Sequence, residues 1–123
     1  MFEKDIAKLE FIIEKIEDLF SYKKEFFTVD DLLNSPLGYD ATLMCLLQIG
    51  ETFNKLSENF IKKYGKNLPI KEAYDVRSFI AQDYEGVKRE IIEHIIKDEL
   101  KELEKRIRII ISELKMSNTA STF

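Results

Sequence analysis

The chain is poor in the residues that build staples, metal sites and turns. Its 123 residues include one cysteine, one histidine, no tryptophan, four glycines and two prolines. A single cysteine, Cys45, cannot close an internal disulfide, so the sequence points to a reducing, cytoplasmic setting and a fold held by its own core. One histidine and one cysteine fall short of the usual zinc ligand sets, and Glu90 four residues before His94 occurs once only, where a di-iron bundle needs paired Glu-x-x-His segments. No metal and no cofactor is expected, and no glycine-rich phosphate loop is present. Ala41 to Gly50 is the longest uncharged run, and its ten residues are too few for a membrane span, which takes about 20. Charges in Met1-Phe2-Glu3-Lys4-Asp5 precede any apolar run that could act as a signal core. Scarce glycine and proline also mean little material for turns, so long regular elements are expected.

What the chain does contain is apolar residues at 45 % and charged residues at 34 %, a mix too apolar for disorder and too charged for a membrane protein. Lys, Glu, Ile and Leu favour helix over sheet. A single domain of this length buries roughly two-thirds of its unfolded surface. The net charge of −4 is uneven: residues 1–40 carry 5 basic and 10 acidic groups, residues 41–69 carry 4 and 2, and residues 70–123 carry 10 and 11. An acidic N-terminal element argues against broad binding to duplex DNA, which needs a basic face. A local basic strip remains in Lys55, Lys62, Lys63 and Lys66.

Helical periodicity dominates. Phe2, Ile6, Leu9, Ile13, Ile16 and Phe20 predict one apolar face of a helix over about 2–24. Thr28 with Asp31 resembles a capping box at the start of a short helix ending by Asn34-Ser35-Pro36. Pro36 suits the first turn of the next helix, which the spacing of Leu43, Leu46, Leu47, Phe53, Phe60, Ile61 and Tyr64 extends to about residue 64. Gly50 and Ser57, seven apart, would share a face of it, with Gly50 either a tolerated weak spot or a point of close packing. Gly65-Lys66-Asn67-Leu68-Pro69 reads as a stop and turn. A fourth helix is expected over about 70–84, Gly86 as terminator or hinge, and a last helix over about 87–115. On that last helix Ile92, Ile96, Leu100, Leu103, Ile107, Ile110 and Leu114 step by four and three, with Ile91, Ile95, Ile109 and Ile111 widening the stripe. The expectation is an all-α, up-down bundle of about five helices over residues 1–116, a polar, disordered tail over 117–123, and surplus apolar surface covered in a homodimer.

For chemistry, Cys45 sits among Leu43, Met44, Leu46 and Leu47 and reads as an apolar core residue, and His94 as a half-exposed helix residue. Interest falls on Tyr74 to Tyr84. Arg77 and Tyr84 are seven apart, about two turns along one helix face. A guanidinium grips phosphate through two donors, and a phenol can donate to it. The same spacing also suits a surface Arg–Asp pair beside a tyrosine that packs at a helix end.

Arg77-Ser78-Phe79-Ile80-Ala81-Gln82-Asp83-Tyr84 resembles the R-x-x-x-x-H-x-Y signature of the HepT-like branch of the HEPN family. The stretch Leu47-Gln48-Ile49-Gly50-Glu51-Thr52-Phe53-Asn54-Lys55-Leu56-Ser57 is similar to that family's third-helix segment, an isoleucine-glycine-glutamate run leading to a leucine-serine pair. The likeness reaches nearly to Met116. It implies a dimeric helical bundle acting as a metal-independent ribonuclease, the toxin of a type VII-like toxin–antitoxin pair. The antitoxin partner implied is a small nucleotidyltransferase, which in some systems adenylylates the signature tyrosine, here Tyr84. Arg77, Gln82 and Tyr84 then occupy the catalytic positions. This chain departs from the signature by placing Gln82 where the family has histidine. Glutamine exchanges hydrogen bonds but has no titrating group, so it cannot serve as general base. Positions five apart on a regular helix also lie about 140° apart around its axis. Arg77 and Gln82 therefore meet on one phosphate only if the helix unwinds near Ala81–Tyr84 or two protomers pool their motifs, and the resemblance implies the second. Two further readings of the chain are a non-catalytic module that binds nucleotide or presents itself to a nucleotidyltransferase, and a structural adaptor built on the Ile92–Leu114 seam.

Overall fold

A computed structural model describes the backbone of residues 1–121 and the side chains of residues 1–117. Seven α-helical stretches follow in order: α1 (Glu3–Lys24), α2 (Val29–Asn34), α3 (Pro36–Phe53), α4 (Glu58–Tyr64), α5 (Ile70–Gln82), α6 (Arg89–His94) and α7 (Leu100–Ser121). There is no strand among the described residues. The all-α bundle expected from periodicity is the fold observed. The tail expected over 117–123 falls mostly on residues outside the described side chains.

Its centre is α3, which packs against both α1 and α5, while α1 also packs against α7. Of the expected α1 stripe, Ile6, Leu9, Ile13 and Ile16 are buried while its two end members, Phe2 and Phe20, are only partly so; Ile12 and Leu19, which the spacing left out, are wholly inside, in one core with Leu43 and Phe53 of α3 and Ile107 of α7. All seven seam residues from Ile92 to Leu114 are buried too. That seam is therefore closed within the chain, which counts against an adaptor that would use it on a partner. Cys45 is buried, and burial pushes its thiol up to about 11, so it behaves as a core residue rather than a nucleophile.

Local chemistry sets the helix starts. Thr28 Oγ1 accepts from Asp31 N at 3.0 Å and Ser35 Oγ from Gly38 N at 3.3 Å, with Pro36 at the first helical position. The long helix expected from residue 36 to residue 64 breaks after Phe53. Asn54, Lys55 and Leu56 form a tight turn, and Ser57 restarts the chain as the cap of α4, its hydroxyl accepting from Phe60 N at 3.2 Å. A buried carboxylate, Asp5 of α1, takes both the Ser57 amide and its hydroxyl at 2.8 Å each. Ser57 thus ties α1 to α4 and does not share a helix face with Gly50.

The last rod also departs from a plain α-helix. It begins at Arg89 and passes through a π-turn, Ile95–Glu99, before α7. Ile92, Ile96 and Leu100 are spaced four and four, which would carry an α-helical stripe progressively off the core. A turn closed by i→i+5 bonds holds more residues and returns Leu100 to the buried side. Arg89 at the head of the rod donates to Asn34 Oδ1 at 2.6 Å and to the Asp30 carbonyl at 2.9 Å, which docks α6 on α2.

Candidate functional site

Arg77 sits mid-way along α5, and the sequence of α3 decides how it is held. Gly50 faces it so closely that a Cβ there would lie 2.5 Å from Arg77 Cβ and 2.5 Å from the Ala73 carbonyl oxygen. The absent side chain lets the two helices touch, so Gly50 is a point of close packing. Glu51, the next residue of α3, accepts the Arg77 Nε–H, and the guanidinium also lies over the Tyr74 ring at 5.6 Å. Contact through Nε leaves the two terminal nitrogens without a hydrogen bond among the described residues. The Arg77 and Glu51 side chains each remain 31 % exposed. This is a guanidinium aimed from behind with its fork open, the arrangement that suits bidentate binding of a phosphate.

Tyr84 lies off the helix on which the sequence pattern places it. Helix α5 ends at Gln82, and Asp83, with φ −149° and ψ 77°, turns the chain out. Asp83 Oδ1 then accepts from Gly86 N at 3.1 Å, closing a turn in which a Cβ on Gly86 would collide with that carboxylate. The turn delivers Tyr84 to the N-terminal half of α3. There its phenol donates to Asp40 Oδ1, Tyr39 donates to the Tyr84 carbonyl at 3.1 Å, and the two rings meet edge to face at 5.7 Å. Partial burial, the hydrogen bond to Asp40, the Asp40 charge and Tyr39 together push the Tyr84 phenol up to about 12. Tyr84 as a whole is 40 % exposed.

One chain does not bring the three sequence-predicted residues together. Asp40 and Glu51, which hold Tyr84 and Arg77, share a face of α3 but are separated by about 16 Å along its axis. Gln82 is the last residue of a regular α5, about 140° round from Arg77 and about 180° round from Ala73, the two positions that meet α3. It is exposed, and its side chain makes no hydrogen bond among the described residues. Phe79, one turn earlier, is 61 % exposed and lines an apolar groove of about 270 Å³ with Val76, Asp83, Gly86, Val87 and Ile91. His94 is engaged elsewhere, its ring nitrogens 2.9 Å from Asp98 Oδ2 and 3.0 Å from Glu99 Oε1. No three His, Cys, Asp or Glu side chains among the described residues are grouped to hold a metal ion.

Sequence reasoning missed Tyr39 and Asp40 and gave Glu51 no role. Asp40 lies 44 residues from Tyr84, and no local pattern announces such a pair.

The class of protein is thus an all-α bundle that presents a half-buried arginine and a clasped phenol along one central helix. The chain belongs to the family described as ribonuclease HepT-like, which matches residues 12–110. Putative RNase TTE0752 of Caldanaerobacter subterraneus subsp. tengcongensis is 29 % identical over 113 residues, covering 92 % of this chain and 93 % of that one. Putative RNase MJ0127 of Methanocaldococcus jannaschii is 31 % identical over 113 residues, covering 88 % and 92 %. No solved structure matches the chain, and no described helix is long and apolar enough to cross a membrane.

Proposed function

We propose that this chain is the RNA-cleaving scaffold of a HepT-like toxin, weakened at its base position by Gln82, working as a cytoplasmic homodimer and neutralised by a nucleotidyltransferase antitoxin. The observation that carries the reading is the seat of Arg77, a family-motif arginine held by Gly50 and Glu51 with its phosphate-binding fork open. Arg77 grips the phosphate of an RNA strand, Gln82 hydrogen-bonds near the 2′-hydroxyl without taking its proton, and Tyr84 orients the strand or accepts the adenylyl group.

Divergence of Arg77 and Gln82 on one helix is the argument for a second copy. A twofold mate laid across the outer face of α5 would place its own motif beside Gln82 and cover Phe79 and Ile91. A charge in the middle of that patch is expected to prevent association. Phe79→Asp should therefore sediment as a folded monomer where the native chain sediments as a dimer, and a native chain that is already monomeric would remove the shared site.

The antitoxin half of the reading has its own test. Co-expression with a nucleotidyltransferase encoded beside this chain should add one nucleotidyl group at Tyr84, read by peptide mass spectrometry, and Tyr84→Phe should abolish it. An unmodified Tyr84 would leave that half without support. The alternative, a non-catalytic module presented to a nucleotidyltransferase, is favoured by the lack of any titrating group at position 82; it is distinguished by RNA staying intact even after histidine is supplied there.

A further inference from the structure

The hydrogen bond between Tyr84 and Asp40 has a chemical use that rests on the reading of Tyr84 as an acceptor. A phenol is a weak nucleophile while it keeps its proton, and a base aimed at that proton removes the difficulty during attack rather than before it. We propose that Asp40 is the proton acceptor for Tyr84 when the phenol oxygen attacks the α-phosphorus of a nucleoside triphosphate held by the nucleotidyltransferase. A bond forms between Tyr84 Oη and the α-phosphorus, the bond from that phosphorus to its bridging oxygen breaks, pyrophosphate leaves, and the phenolic proton passes to an Asp40 carboxylate oxygen and on to solvent.

Three features support this assignment. The phenol already donates to Asp40, so the proton lies on the line it would travel and a phenol lone pair faces away from the carboxylate. Tyr39 fixes the loop by donating to the Tyr84 carbonyl and packing edge-on against its ring, which keeps the oxygen from wandering. Both Asp40 and Tyr84 are exposed, so an enzyme carrying the triphosphate can reach them. The neighbourhood also keeps the resting phenol protonated, so a neutral-pH reaction needs an acceptor at the site. This is the role a carboxylate plays for a hydroxyl nucleophile in phosphoryl transfer generally.

The test compares native chain, Asp40→Asn and Tyr39→Phe with the purified nucleotidyltransferase and ATP, and separately with N-acetylimidazole, a small electrophile that acylates phenols without any enzyme. Asparagine keeps an acceptor for the phenolic hydrogen bond but cannot carry the proton away. Asp40→Asn is expected to slow labelling of Tyr84 by about a hundredfold at neutral pH in both reactions, with the deficit shrinking as pH rises toward the phenol's own ionisation. Tyr39→Phe should give a smaller loss that does not vary with pH. Labelling of Asp40→Asn at the native rate, or a deficit that stays constant with pH, overturns the assignment. If the nucleotidyltransferase leaves the native chain unlabelled while N-acetylimidazole still shows the pH-dependent deficit, the antitoxin reading fails and the proton acceptor stands.

Discussion

Gln82→His should raise RNA cleavage by about 10²–10⁴-fold over the native chain, the range that a positioned general base contributes. The site is prepared for the change. Residue 82 ends a regular helix, is exposed and has no side-chain hydrogen bond among the described residues to lose, so the substitution should alter stability by less than about 0.5 kcal/mol. An imidazole titrating near pH 6.5 would add an ascending limb to the pH–rate profile that glutamine cannot give. Because position 82 points about 140° away from Arg77 in its own chain, the gain must be made between copies. Adding Phe79→Asp should return cleavage to the native level, and adding Arg77→Ala should abolish it. A folded, dimeric Gln82→His protein that leaves RNA intact would end the catalytic part of the proposal. Cleavage that survives Phe79→Asp in a monomer would instead end the shared cleft.

These effects depend on structure that the sequence revealed unevenly. The α1 stripe, the Thr28 cap, Pro36 at a first turn and the buried Ile92–Leu114 seam were legible because each is a local pattern with one physical meaning. The break after Phe53 was hidden because Phe53, Leu56, Phe60 and Tyr64 keep helical spacing across it, and all four are buried. A restarted helix can preserve the side from which the core is approached. What decides for a break is Ser57 caught by Asp5 from 52 residues away, a contact no window along the chain contains. The π-turn left one trace, the consecutive fours at Ile92, Ile96 and Leu100, which a two-spacing template absorbs. The motif arginine and tyrosine were found by resemblance, but their settings were not. Whether Tyr84 stays on its helix is settled by Asp83 and Gly86, and where it lands is settled by Tyr39 and Asp40 on another helix.

Gly50→Ala tests whether α3 and α5 are as close as Arg77 requires. In an isolated helix alanine would be favoured over glycine by about 1 kcal/mol. Here the added Cβ would meet the Ala73 carbonyl oxygen and Arg77 Cβ at 2.5 Å each, and neither is the free end of a flexible side chain. Ordinary contact begins near 3.4 Å, so α5 must retreat by close to an ångström. Overpacking of this kind costs about 1–3 kcal/mol, and the expected net result is a Tm lower by several degrees. Function should suffer more than stability. Moving α5 away from α3 withdraws Arg77 from Glu51, and a displacement of about 1 Å at a reacting group can cost 10²-fold in rate. In the Gln82→His background Gly50→Ala should therefore lose about two orders of magnitude of cleavage while remaining folded at room temperature. Gly65→Ala is the control, because its Cβ would press at 3.1 Å only on Ile61 Cγ2, a side-chain methyl that can give way. A Gly50→Ala protein with native Tm and full cleavage would mean that the two helices do not touch at Gly50, and the seat described for Arg77 would have to be abandoned.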